Sequence, residues 1–310
     1  METHLLRTFV TVARLGSFSA AAEELGYTQS AVSQQIAALE HDLGVVLLAR
    51  RPVAPTAAGE RLLEHAGPLL LRVQAARADV TRAIRPHGPV RLALTPLALP
   101  QLTPQPAATQ PAAFQAATQP AAFQFVVPRG VAISVHVTDA EHAARLVASA
   151  EADLALVDGI AAPTDPLPAP ATAPLHAQGV AEHPLVIALP AAHPLAGRPA
   201  LDLADLVDAL WIDAPQICGP LSRLRAASGL DGFRTGLHYT GCDTRTLLTL
   251  IAAGHGLAIL PAGAAQHPHA VQGVPLAGPR LVHRVELLHG GHLPPGPAAT
   301  LAEHLASALA

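Results

Sequence analysis

Residues 16–36 read Gly16-Ser17-Phe18-Ser19-Ala20-Ala21-Ala22-Glu23-Glu24-Leu25-Gly26-Tyr27-Thr28-Gln29-Ser30-Ala31-Val32-Ser33-Gln34-Gln35-Ile36, two short helical patterns about a glycine break. Ser19 reads as an N-cap, since a serine oxygen accepts from the orphan amides of a first turn. Ala20 to Leu25 then form a helix that Gly26 ends. Thr28 or Ser30 can cap the next helix, where Val32, Ile36, Leu39 and Leu43 make one apolar stripe up to Gly44. The small side chains of Ala20–Ala22 let the two helices approach closely, and Gly26-Tyr27-Thr28 is a tight connection. Together they form a helix-turn-helix pattern. Upstream, Leu5, Leu6, Phe9, Val12 and Ala13 recur at helical spacing and stop at Gly16.

A long helix is expected from Thr56 onward. Leu62, Ala66, Leu69, Val73, Ala76, Val80 and Ala83 alternate spacings of four and three. Such a heptad seam calls for a partner helix, which makes this stretch a dimerisation linker. Pro68 interrupts it, so a kink at Gly67-Pro68, or two helices meeting there, is expected. Beyond Pro86-His87-Gly88-Pro89 the period changes. Val90–Thr95, Val131–Val137 and Asp153–Val157 read as short strands, the last two separated by a helix from Ala140 to Ser149. That β-α-β order implies a parallel sheet. Leu185–Leu189, Ala209–Ile212, a helix from Thr244 to Ala253 and Leu257–Leu260 form a second set. Pro-rich Ala161–Pro174 reads as the crossover between the sets. Ala107–Gln115, AATQPAAFQ, is repeated letter for letter by Ala116–Gln124. A unit so short reads as a tolerated duplication and not a repeat architecture.

The 310 residues suffice for two or three compact units, and half are apolar. No apolar run reaches the roughly 18–20 residues needed to span a bilayer, and the first residues lack the basic and apolar regions of a signal peptide. A cytoplasmic protein without membrane partners is the expectation. Cys218 and Cys242 make no disulfide framework; they read as ordinary thiols, with a redox-sensing pair as the alternative. Net charge is −4, but residues 1–87 carry nine arginines against eight acids, while the remainder is acidic. DNA affinity, if present, must come from a few placed contacts and from dimerisation. Seventeen histidines raise the question of metal, yet His267/His269 and His289/His292 sit in Pro/Gly-rich segments without ligand spacing. No G-x-S-x-G elbow, Walker loop or HExxH motif occurs, so neither catalysis, cofactor nor metal is expected.

The ordered run Gly16–Leu25, then Thr28–Ile36, Leu39-Glu40, Leu43-Gly44 and Leu47 closely resembles the signature of LysR-type transcriptional regulators. Thr56-Ala57-Ala58-Gly59 resembles the family's entry to its linker helix. His193-Pro194-Leu195 and Ala252-Ala253-Gly254-His255-Gly256-Leu257-Ala258-Ile259-Leu260-Pro261 resemble its second regulatory lobe. The resemblance implies an α/β protein. An all-α winged helix-turn-helix over residues 1–58 leads into a linker helix over 59–87. A two-lobed effector domain folded like periplasmic binding proteins then spans 88–310, with lobe I about 88–162 plus 268–310 and lobe II about 163–267. It implies a non-enzymatic regulator, a homodimer or homotetramer on double-stranded promoter DNA. A small-molecule effector modulates it, and contact with RNA polymerase is left open. The sequence departs from the family where Ser30 replaces a frequent Pro, Gln34 an Arg and Leu48 a Phe. The wing, Ala49–Pro55, is short and carries few basic residues.

Gln29, Ser33 and Gln34 lie away from the apolar stripe. A glutamine amide can pair with adenine N6 and N7 in the major groove. Thr28 and Ser30 stand at the helix start, where free amides face a phosphate. Arg50 and Arg51 are the wing candidates for phosphate or minor-groove contact. A polar helix face taken alone is more often merely solvated; within this signature the balance tips toward base reading. By resemblance, the effector would meet Thr95 and Leu97 after the first strand, Thr138 before the next helix, and Ile217 and Cys218 in the loop Pro215–Gly219. Thr95 and Thr138 would donate hydroxyls, or else simply cap helices. The competing reading is a small-molecule-binding or thiol-redox-sensing protein whose helix-turn-helix head is non-functional.

Overall fold

The computed structural model describes residues 2–84, 88–98, 101–102, 124–125, 131–168, 175–265, 270–291, 293 and 295–307. The tandem AATQPAAFQ copies, Gln124 excepted, lie outside them. The chain forms two compact units, one ending at Ile84 and one beginning at Arg85.

In the first unit α1 (Thr3–Leu15), α2 (Phe18–Leu25) and α3 (Gln29–Leu43) each end on a glycine in the left-handed region: Gly16, Gly26 and Gly44. These are the stops expected from the sequence. The start of α2 differs from expectation. Ser17, not Ser19, is the cap, its Oγ accepting from Ala20 N at 3.2 Å. Gly16 already closes α1, so the first extended residue is Ser17 and the helix takes in Phe18 and Ser19. Phe9, Val12, Val32, Ile36 and Leu39 pack with Ala21 and Ala22 into one core, closed by Leu47, Leu48 and Ala66. The core is made by the periodic positions, with alanines at the close helix crossing. A two-stranded antiparallel hairpin follows, β1 (Leu48–Arg50) and β2 (Val53–Pro55).

The next element, α4 (Ala57–Ile84), runs unbroken past Pro68, so the expected meeting of two helices does not occur. The proline removes one intrahelical N–H bond, and the turns on either side carry the helix through. Its N-terminal turn sits tightly on the unit: a Cβ on Gly59 would overlap the Leu47 carbonyl oxygen. Thr56 Oγ1 donates to Val46 O at 2.7 Å and accepts from Gly59 N at 3.1 Å. The heptad seam is divided. Leu62 and Ala66 pack into the unit's own core, whereas Leu69 is 42% and Val80 65% exposed.

The second unit is built on β3 (Val90–Leu94), β4 (Gln101–Leu102), β5 (Gln124–Phe125), β6 (Ile133–Val137), α5 (Ala140–Ala148), β7 (Leu154–Ala161) and β8 (His176–Pro190). There follow β9 (Leu201–Asp202), a short 3-10 turn (Leu203–Leu206), β10 (Leu210–Asp213), α6 (Leu221–Ser228), β11 (Arg234–His238) and α7 (Thr244–Ala252). Then come β12 (Ala258–Pro261), β13 (Val271–Gly278), β14 (Val282–His289) and α8 (Pro297–Ser307). One eight-stranded sheet runs β6-β3-β7-β14-β8-β13-β9, with β12 also on β8. β3 pairs parallel with β6 and β7, as the β-α-β order implies, but β14 is antiparallel to both its neighbours, so the sheet is mixed. Alternation along the strands separates two layers. Leu92, Leu94, Leu154 and Leu156 face α8 through Leu301 and Leu305. Ala93, Ala155 and Val157 face α5 through Ala143, Ala144 and Val147.

The passage between the two halves is a strand and not a loop. Residues 176–184 of β8 pair with β14, and residues 185–190 pair with β12 and β13. Leu185, Ile187 and Leu189 then enter a core with Trp211, Phe233 and Ile259, while Val186 and Ala188 meet Leu247, Ile251 and Leu260. The proline-rich stretch expected to cross stays on the first half over its described residues. Thr164 N donates to Glu182 and Leu167 N to Glu286, both at 3.0 Å. Two segments consequently sit on the other side of the expected lobe limits. Val180 and Ala181 join the first core, and Val271 and Val274 join the second pair of cores.

Candidate nucleic-acid interface and ligand junction

The apolar stripe of α3 is turned inward over Val32, Ile36 and Leu39, whereas Leu43, expected to continue it, is exposed at the helix end; the opposite face of the first two turns is left in solvent. Thr28, Gln29, Ser30 and Gln34 are exposed and Ser33 is partly exposed. Thr28 Oγ1 accepts from Ala31 N at 3.2 Å and lies 3.0 Å from Ser30 Oγ, so these two hydroxyls are organised around the helix start. Neighbouring Gln35 is taken out of this surface, because its Oε1 accepts from Thr8 Oγ1 on α1 at 2.6 Å. The acids of α3, Glu40 and Asp42, lie in its last turn. Positive helix-dipole potential and neutral amides therefore meet at one end, the end that suits a polyanion.

The wing is tied to this helix through Glu40. Its Oε1 accepts from Leu47 N at 2.8 Å and Leu48 N at 3.2 Å, and its Oε2 lies 3.6 Å from Arg50 NH2. The Arg50 guanidinium also lies 5.0 Å from the Phe18 ring centroid. Arg50 is thus positioned within the unit while remaining half exposed, and Arg51 stands exposed at the hairpin turn. Glu40 was not singled out from the sequence. Its signal was the acid one step beyond Leu39, near the end of a helix that leads directly into the hairpin.

In the second unit, Leu97, Ile217 and Cys218 are brought together in the core beside α7. Thr95 and Thr138 stand at the C-terminal ends of the parallel strands β3 and β6. Neither caps a helix: Thr95 Oγ1 lies 3.4 Å from Leu156 O, Thr138 N donates to Leu94 O at 2.9 Å, and Asp139 caps α5. The loop after β10 is held by Ile217 N and Cys218 N, both donating to Ala214 O at 2.9 Å, and by Leu221 N donating to Asp213 Oδ1. Cys218 and Cys242 are both free. Burial pushes the Cys218 thiol up, helped by the charges of Asp158 and Asp213. A reactive thiolate needs the opposite shift.

Three polar residues here escaped the sequence reading. Asp158 on β7 and His283 on β14 form a buried pair, Oδ2 to Nε2 at 2.9 Å, with side chains 5% and 2% exposed. The His183 ring stacks on His283 with centroids 5.9 Å apart, and burial followed by the neighbouring His283 holds the His183 pKa below the ordinary value. The available signal was a lone acid ending the run Leu154-Ala155-Leu156-Val157. Among the described residues no group of three or more His, Cys, Asp or Glu could hold a metal ion. Among them, too, no helix is long and apolar enough to cross a membrane.

Comparison with known proteins gives these surfaces a context. Residues 3–60 match the family described as bacterial regulatory helix-turn-helix protein, lysR family, and residues 127–310 match the LysR substrate binding domain. The HTH-type transcriptional regulator BudR of Raoultella terrigena is 31% identical over 269 residues, 84% of each chain. HdfR of Escherichia coli is 48% identical over 87 residues, 27% of this chain and 31% of that protein. Among solved structures, CbnR, a LysR family transcriptional regulator, aligns with a TM-score of 0.54 at 21% identity over 99% of both chains. Full-length CbnR complexed with its target DNA aligns with a TM-score of 0.52 at 22% identity, over 99% of this chain and 100% of that one.

Proposed function

This chain belongs to the LysR family of bacterial transcriptional regulators, DNA-binding proteins with a substrate-binding domain, and from that premise we propose how its residues divide the work. Residues 1–58 bind promoter DNA, residues 59–87 pair two chains, and residues 88–310 bind the effector. Thr28, Gln29, Ser30, Ser33 and Gln34 present hydroxyls and amides to base edges and phosphates of one major groove. Arg50 and Arg51 contact the backbone beside it. The observation that carries this is the solvent-facing first two turns of α3, polar throughout, with the acids kept to its far end. A helix so disposed enters a groove by its N-terminal end.

The exposed Leu69 and Val80 of α4 supply the face on which a second copy packs, giving a homodimer or a tetramer of such dimers. The effector lies at the junction between the two halves of the second unit, near Thr95, Leu97, Thr138, Ile217 and Cys218, where strand ends and a turn converge. The promoter-bound form acts in the cytoplasm, and its effector response reaches RNA polymerase through the DNA or by direct contact. Mobility shift of the full chain on the intergenic DNA upstream of its own gene tests the reading. A salt-sensitive shifted band competed by the same fragment, and not by unrelated DNA, is expected. Failure to shift any promoter fragment at low ionic strength contradicts it.

A further inference from the structure

Tyr27 is the one Phe, Tyr or Trp side chain that stands exposed among the described residues, 48% open to solvent. It lies in the turn between α2 and α3, outside the core that Phe9, Val32 and Ile36 build. Its hydroxyl has no hydrogen-bond partner among the described residues. An aromatic ring placed in this way gains little from burial, and its polar end is left to water or to a partner.

The backbone that carries this side chain is held on both sides. Gly26, at φ 68°, closes α2, Tyr27 N donates to Ala22 O at 2.9 Å, and Thr28 caps α3 through Ala31 N. A residue in this place of a helix stop commonly packs back on the helix it leaves, against the residue whose carbonyl its amide meets. Here that residue is Ala22, whose methyl is too small to cover a phenol. The nearest charges along the chain are Glu23 and Glu24 at the end of α2, and Glu24 pairs with Arg14. A helix-turn-helix lays its first helix across the sugar-phosphate backbone and its second into the major groove. The turn that joins them therefore lies where the groove meets its flanking strand, and Tyr27 stands one residue ahead of the α3 cap.

We propose that Tyr27 is a further DNA contact, its phenolic O–H donating to one backbone phosphate in each half-site. This rests on the reading of α3 as the helix that enters the groove. A hydrogen bond to a charged phosphate oxygen is stronger than one between neutral groups. Yet a hydroxyl, unlike the guanidinium of Arg50 or Arg51, displaces no counterion. Tyr27 thus adds affinity without sequence preference and without steepening the salt dependence, a role distinct from that of the Gln29 and Gln34 amides.

The test is equilibrium binding of the full chain to the intergenic fragment upstream of its own gene and to unrelated DNA, over a range of salt. Tyr27→Phe removes only the hydroxyl. It should lower affinity for both DNAs alike, by about tenfold, and leave the slope of log affinity against log salt unchanged. Its unfolding midpoint should match that of the unaltered chain, since the hydroxyl has no partner among the described residues. Single methylphosphonate linkages placed along the fragment then locate the contact. One such linkage should weaken the unaltered chain and leave Tyr27→Phe unaffected. Affinity unchanged in Tyr27→Phe, a loss confined to the intergenic fragment, a shallower salt slope or a lowered unfolding midpoint overturns the proposal. So does a scan in which no linkage distinguishes the two proteins. Failure of the unaltered chain to bind counts against the groove reading and this inference with it, whereas normal binding indifferent to Tyr27→Phe counts against this inference alone.

Discussion

Replacing Glu40 with alanine would release the wing from the helix that carries the reading surface. Its Oε1 accepts from Leu47 N at 2.8 Å and Leu48 N at 3.2 Å, beneath two leucine side chains that are fully buried. Each hydrogen bond to a charged group contributes about 1.5–3 kcal/mol, less where two donors share one oxygen. The Arg50 pair at 3.6 Å is half exposed on the arginine side and adds at most about 1 kcal/mol after screening. Glu40→Ala should therefore destabilise the first unit by about 2–4 kcal/mol. Glu40→Gln, which retains an acceptor, should cost about 1–2 kcal/mol. Denaturant unfolding of the full chain measures the loss, and hydrogen exchange at the Leu47 and Leu48 amides locates it. Promoter affinity should fall with it, since Arg50 and Arg51 lose their placement. An unchanged first unfolding transition, with both amides still protected, would refute the reasoning.

Gln34→Ala should relax one base position in each half-site by about 1–3 kcal/mol, read by competition with single-base operator variants; uniform weakening would instead assign Gln34 to the backbone. Arg51→Ala should weaken binding to all sequences alike and lower the slope of log affinity against log salt by about 1, and a change at one base only would speak against a phosphate role. Leu69→Asp and Val80→Asp should convert the oligomer to monomer in sedimentation analysis and lower DNA affinity together with it, whereas an intact oligomer would place the partner elsewhere. Burial and His283 hold the His183 pKa down, so the unfolded chain binds the extra proton first. Stability should thus be full above about pH 6.5 and fall as pH drops from there toward the lowered folded value. His183→Gln should flatten that part of the pH profile, and an unaltered slope would exclude His183 as its source.

Much of the first unit could be read directly. Gly16, Gly26 and Gly44 each mark a helix end, and the spacing of Val32, Ile36 and Leu39 marks the buried side of α3. These signals are local, and residues three and four apart share a face whatever the tertiary structure does. Ser17 was missed because Ser19 offered the same chemistry two residues on. The divided seam of α4 was beyond reach for a different reason, since periodicity states that Leu62 and Ala66 are buried but not against what. In the second unit the strands were legible and their partners less so. That β8 itself carries the chain between the two halves depends on β13 and β14, which are about a hundred residues distant. The pair Asp158 and His283 was hidden by the same separation. Only the register of β14 against β7 places the two side by side.

Selection of binding sites from random duplexes by the full-length chain tests the central claim most directly. The account predicts enrichment of an interrupted inverted repeat whose half-sites each respond to Gln34→Ala at one position. A pool that stays random at low ionic strength, or an enriched repeat indifferent to every substitution from Thr28 to Gln34, would contradict it.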